Sequence, residues 1–273
     1  MYYHTECALL MSLHTLAFTT VFLYFIGALL QCLLFLRQSD SLRKYVFVAS
    51  FAALCLHAIL LHIWIDMAQG QNLNVYNLFS LTAWLITLIV WVVALRKPIV
   101  ALFIFIFPIC ALSIIVVLCF PTQIVINTLV HPVALFHILL GIILFCIFCI
   151  AGLLAVLLAI QEYCLRCKKM LGLITQFPAL ESMEILLFQL IQFGFVLLSI
   201  MLITSIYFYY SLLLMQNYLL QKTLLTIAAW FIFTWLLLGR YYHGWRGRKA
   251  IYGTLVAVFL LCLSYYGSRF LLG

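Results

Sequence analysis

The chain reads as an all-α, polytopic membrane protein of about eight transmembrane helices, with both termini on the outer, periplasmic side. Three observations lead there. Of its 273 residues, 68% are hydrophobic and 7% charged, against roughly 25% charged in a soluble domain. Apolar runs of about 20 residues, each long enough to cross a bilayer, recur along the whole length. The basic residues are confined to alternate breaks between those runs. Arg37, Arg43, Lys44, Arg96, Lys97, Arg166, Lys168, Lys169, Arg240, Arg246, Arg248 and Lys249 follow the first, third, fifth and seventh. Of the 14 Lys and Arg, only Lys222 and Arg269 lie opposite. By the positive-inside rule the basic side is cytoplasmic.

The runs span approximately 13–36, 45–65, 75–95, 98–120, 131–160, 184–213, 223–239 and 250–270. They form one transmembrane domain over 1–273. The first is too long for a cleavable signal, follows Glu6 and ends at Arg37 like a stop-transfer. The second and third flank a polar turn, 66–74, which lacks Lys and Arg and so belongs outside. The fifth opens on Pro132, a natural first helical residue because its missing N–H has no intrahelical partner to lose. The stretch GLITQFPALESME, 172–184, is short and mixed and is expected to lie along the inner surface. Glu181 and Glu184 then favour the start of the sixth helix, where acids suit the helix dipole. Trp245, Tyr241, Tyr242, Tyr265 and Tyr266 fit interfacial aromatic belts.

Several function classes drop out. The formal charge of +8 is accounted for by insertion topology, so nucleic acid is not expected as a partner; the lipid bilayer is. Cys32, Cys55, Cys110, Cys119, Cys146, Cys149 and Cys262 lie in apolar spans and act as small hydrophobes. Cys164 and Cys167 form a CxxC in a loop before Lys168, and without a second Cys or His pair this reads as incidental rather than zinc-binding. No Walker loop, dinucleotide fingerprint, HExxH or nucleophile elbow occurs. No catalytic residue is expected, and the chain is not read as an enzyme. A small-molecule permease is disfavoured, because no broken helix recurs in two halves.

Histidine inside a membrane helix is costly and usually functional. At about 1.5 Å per residue, His57 lies roughly 12 Å below the outer end of the second helix and His62 roughly 5 Å. The fifth helix descends from the same side, with His131 at its mouth and His137 roughly 9 Å down. His57 and His137, and likewise His62 and His131, therefore share depth layers. Residues five or six apart do not share one helix face, so one helix contact favours one pair. The deeper pair, His57 and His137, is the first choice for holding a ligand; His62 and His131 are the second. Bis-imidazole ligation of haem iron from two helices suits such a pair. The plainer alternative is that each imidazole bonds a backbone carbonyl or lines a polar seam. His4 and His14 near the outer terminus, and His243 among arginines, read as interface residues.

The order of motifs resembles the transmembrane haem-handling cytochrome c assembly family of the CcsA and CcmC type. His57 in LCLHAILL, then Gly70, then Asn74-Val75-Tyr76-Asn77 and Trp84, is similar to that family's membrane histidine followed by an outer Asn-x-Tyr-Glu pattern. The fifth run ending in Gln161-Glu162, the stretch LESMEILLFQLIQFGF, and Lys222-Thr223 through GRYYHGWRGRKA also match, covering most of the chain from about residue 50. Within the family the pattern is most similar to the HemX/YpjD-like inner-membrane branch. Two departures stand out. Residues 214–221, LMQNYLLQ, hold no Trp or Asp where the family carries a tryptophan-rich haem platform, and Asn77 replaces the motif's Glu.

The resemblance implies a multi-pass protein of the bacterial inner membrane that handles haem b in cytochrome c biogenesis. His57 and His137 would be iron ligands, beside other cytochrome c maturation membrane proteins. The alternative it implies is a HemX-type regulatory scaffold that works without haem.

Overall fold

The computed structural model describes residues 2–37, 40–68, 70–96, 99–126, 132–167, 179–215 and 217–267. Helices dominate: α1 (Tyr2–Arg37), α2 (Asp40–Ile65), α3 (Val75–Ala94), α4 (Phe103–Cys119), α5 (Pro132–Cys167), α6 (Leu180–Met215), α7 (Asn217–His243) and α8 (Arg248–Cys262). A 3₁₀ turn, Val100–Leu102, leads into α4, and a π-helical turn, Leu263–Gly267, extends α8. All eight are long and apolar enough to cross a membrane. Only helices and closed barrels satisfy every backbone group in hydrocarbon, so this composition leaves the chain little other choice.

Contacts divide the chain into two compact units, Met1–His131 and Pro132–Gly273. In the first, α1 packs on α2 and α4, and α3 on α2 and α4, closing a four-helix ring. In the second, α5 packs on α6 and α8, and α7 on α6 and α8, closing another. Aromatic rings fill both interiors. In the first, Phe103 stacks on Phe107 with centroids 4.8 Å apart, and Tyr24 meets Phe107 at 6.0 Å. In the second, Phe148 stacks on Phe233 at 4.3 Å and Phe145 on Tyr265 at 4.8 Å.

Indole N–H groups staple α3 to α2. Trp84 donates to the Leu54 carbonyl at 2.9 Å and Trp91 to that of Phe47 at 3.3 Å. At the basic end of this bundle Arg43 reaches the Ala94 carbonyl, at the C-terminus of α3, at 3.4 Å. A cation suits the negative end of a helix dipole.

The polar turn at 66–74 is more structured than its composition suggests. Asp66–Met67 (β1) and Gly70–Asn72 (β2) pair as an antiparallel hairpin, and Val125–Ile126 (β3) adds a third antiparallel strand, with Gln71 opposite Ile126 and Asn72 opposite Val125. Three asparagines, all nearly fully buried, bind this small sheet to the helix ends. Asn74 caps α3, accepting from the Asn77 N–H at 2.7 Å, and donates to the Thr122 carbonyl. Asn72 accepts from the Ile124 N–H at 2.9 Å. Asn77 donates to the carbonyls of Trp64 at 3.2 Å and Asn72 at 3.0 Å, while Tyr76 stacks on Phe120. Backbone groups where a helix ends must find partners, and amide side chains supply them without charge.

Cys164 and Cys167 sit on the last turns of α5 rather than in a loop. Arg240, Arg248 and Lys249 are helical, which leaves only 244–247 as the α7–α8 turn. Of the segment expected along the inner surface, 172–184, residues 172–178 lie outside the described residues, as does His131.

Asn77→Asp replaces two donated hydrogen bonds with a group that only accepts when ionised. We expect it to destabilise the first bundle by about 1–3 kcal/mol, measured by thermal unfolding in detergent, with Asn77→Ser losing less.

Candidate functional site

His57 is fully buried, and both its ring nitrogens are taken. The Tyr24 hydroxyl lies 3.1 Å from Nδ1, and the Ser80 hydroxyl 2.9 Å from Nε2. A neutral imidazole is a donor at one nitrogen and an acceptor at the other, so it fits between two hydroxyls that can each play either part. The chain of contacts continues. Tyr24 also meets the Cys110 thiol, and Thr87 approaches that sulfur at 2.8 Å while donating to the Ala83 carbonyl at 2.8 Å. Side chains of α1, α2, α3 and α4 are thereby joined into one buried network.

His62 is placed differently. Its side chain is three-quarters exposed, with Nδ1 2.6 Å from a carboxylate oxygen of Asp66, one helical turn on. An ionised carboxylate only accepts, so Nδ1 donates to it, and in the neutral ring Nε2 then keeps its lone pair. Histidines that bind metals typically have this second-shell carboxylate, which fixes tautomer and orientation.

In the second bundle His137 is half-buried on α5, close enough to Lys222 to feel its charge, and the Lys222 ammonium lies 5.4 Å from the centre of the Tyr265 ring. Beside them Ser264 donates to the Lys222 carbonyl at 2.9 Å and meets the Thr226 hydroxyl at 2.9 Å. His14 is exposed on α1, and His243 ends α7. His4 is helical. Among the described residues no group of three or more His, Cys, Asp or Glu is placed to hold a metal ion.

The opposite, basic end of the second bundle is built from the LESME and GRYYHGWRGRKA stretches. Trp245 folds back on Gly239: a Cβ there would stand 2.2 Å from the indole, so only glycine admits the ring. Arg240 donates to the Trp245 carbonyl at 3.0 Å and lies 4.7 Å from the Phe188 ring centre. Gly247 takes φ +57°, a conformation costly for other residues. Its N–H donates to the buried Glu184 carboxylate at 2.6 Å. Glu184 thus closes the start of α8 rather than that of its own helix, while Glu181 does lie in the first turn of α6.

An axial haem ligand must offer a ring nitrogen to the iron. As placed, His57 has none to offer. His62 presents Nε2, and in donor chemistry it fits the group. Tyr24, Ser80, Thr87 and Cys110 are not among the residues that sequence reasoning selected. The available signal was Tyr24 itself, a tyrosine at mid-span rather than at an interface.

Two closed four-helix units, with helices long and apolar enough to cross a membrane, define an integral membrane protein. The comparisons give it a family. The model of the cytochrome c assembly protein family matches residues 45–273. The chain is 32% identical over 236 residues to the inner membrane protein YpjD of Escherichia coli K12, which covers 86% of this chain and 89% of that protein. The versions from strains O6:H1 and O157:H7 match equally. This chain belongs to the cytochrome c assembly protein family and is a multi-pass inner-membrane protein. No solved structure matches it.

Two outcomes follow from these contacts. His57→Leu should destabilise the first bundle by about 1–2 kcal/mol, the range of buried polar contacts between membrane helices. Combined with Tyr24→Phe it should cost less than the two single losses added, a coupling read from a double-mutant cycle. Gly239→Ala should lower stability by about 1–3 kcal/mol through overpacking. Adding Trp245→Ala, which removes the obstructed ring, should recover part of that loss in the same thermal unfolding assay.

Proposed function

We propose that this protein binds haem b and passes it on in cytochrome c biogenesis, with His62 presenting Nε2 as an axial ligand. The observation that carries the reading is the His62–Asp66 pair at 2.6 Å on an exposed helix end. It supplies an oriented imidazole where a bulky planar cargo can reach it. In the second bundle His137 is the corresponding candidate, and Lys222 beside it would offer an ammonium to a carboxylate of the cargo. His57 then serves the fold, and the sequence-based preference for the deeper histidine gives way in the first bundle to the more accessible one.

By the positive-inside rule the basic ends face the cytoplasm, both termini face the periplasm, and the His62 end opens outward. The protein holds its cargo and makes no covalent bond to it. Because residues 214–221 lack the family's tryptophan-rich platform, a partner membrane protein of cytochrome c maturation would supply that surface. A second reading, a regulatory scaffold of the HemX type that works without haem, is favoured by one observation. The most buried histidine spends both nitrogens on the bundle's own hydrogen bonds.

The absorption spectrum of the detergent-purified protein, oxidised and reduced, before and after adding haemin, tests the proposal. Expected are b-type bands that disappear in His62→Ala, bind about tenfold more weakly in Asp66→Asn, and persist in His57→Leu. Bands lost in His57→Leu and His137→Ala but kept in His62→Ala would return the deeper pair to first place. A protein that stays colourless with haemin would overturn haem handling and leave the scaffold.

A further inference from the structure

At the basic end of the second bundle a cavity of about 690 Å³ opens among α5, the start of α6 and the α7–α8 turn. Its charges are not mutually satisfied. Glu184 is committed to the Gly247 N–H, and Glu162 is shared, at 2.5 Å from Arg166 and 3.3 Å from Arg248. Glu181, the third carboxylate of the lining, has only a distant cation. It stands 4.0 Å from Arg246, with both side chains more than 60% exposed. A pair so long and so exposed is worth little. Lys249 lies over the Trp245 ring at 4.8 Å. Arg246 and Lys249, with the remaining N–H groups of Arg166 and Arg248, therefore surround one cavity with more positive charge than its carboxylates neutralise.

The cavity also sits at a particular level. Tyr163, Tyr241, Tyr242 and Tyr252, each 65% exposed or more, ring this end of the bundle. Such tyrosines mark the boundary between hydrocarbon and headgroups. Basic pockets between helices at that level recognise anionic headgroups, and guanidinium groups match the oxygens of phosphate with paired N–H donors.

We propose that this cavity binds a phosphate-bearing anion, held by Arg246, Lys249 and the outward N–H groups of Arg166 and Arg248. The source is either an anionic phospholipid headgroup or a free phosphate ester. The cavity is lined by residues of the second unit alone, and the proposal stands or falls independently of haem binding.

The test uses the full chain purified in neutral detergent. It is offered phosphatidylglycerol in mixed micelles, phosphatidylcholine in mixed micelles, or glycerol 3-phosphate in detergent alone, and bound molecules are counted by native mass spectrometry. Phosphatidylglycerol should be retained over phosphatidylcholine. Its retention should fall about tenfold in Arg246→Gln/Lys249→Gln and rise in Glu181→Gln, which removes the opposing carboxylate. It should not change in Lys44→Gln, an exposed cation of the first bundle. The same variant pattern with glycerol 3-phosphate and not with lipid would assign the site to a free ester. Equal retention of the two lipids with no bound ester would overturn the site. So would an equal loss in Lys44→Gln, or no rise in Glu181→Gln.

Discussion

A polar group buried in a membrane protein has no water to fall back on, and His57 sits where that constraint is sharpest. Its two nitrogens are satisfied from two different helices, by Tyr24 on α1 and Ser80 on α3. The Tyr24 contact with Cys110 brings in α4. Apolar packing alone would let four greasy helices rotate or slide against one another, because lipid tails are as apolar as leucine. A hydrogen-bonded imidazole at the centre allows far fewer arrangements. Tyr24, which meets its Nδ1, also packs on Phe107 of α4 with ring centres 6.0 Å apart.

The ends of the two bundles solve the same problem by different chemistry. The first is finished with neutral amides, Asn72, Asn74 and Asn77, which donate and accept but carry no charge. The second is finished at its basic end with charge and glycine: a buried carboxylate on the start of α8, an arginine on the Trp245 carbonyl, and an indole lying on Gly239. One end displays an oriented imidazole, the other a basic cavity.

Much of this was legible in the residues. Span lengths and basic-residue spacing located all eight helices, since hydrocarbon thickness and insertion topology leave strong marks on a sequence. Pro132 opens α5 as expected, and the Asn-x-Tyr pattern does open α3. The third strand, Val125–Ile126, was not legible: two residues have no periodicity, and their pairing depends on a partner more than fifty positions away. Glu184 illustrates another limit. Its proximity to a helix start suggested a local cap, whereas its partner is Gly247 on a distant turn. Depth along a helix correctly made His57 the more buried histidine. Depth does not reveal a tyrosine from another helix, and that contact occupies one of the ring's nitrogens.

The network around His57 has a consequence for biogenesis. Its partners come from helices both before and after it, so when α2 first enters the bilayer Ser80 has not yet joined it there. Until the third helix arrives, the imidazole can find only Tyr24 or its own backbone, and a two-helix intermediate carries an incompletely satisfied polar group in lipid. Assembly of the first bundle is therefore gated by chain length. A nascent chain cut short before residue 80 would hold a buried imidazole with one nitrogen lacking the partner it has in the finished bundle, a feature by which quality control could distinguish the two.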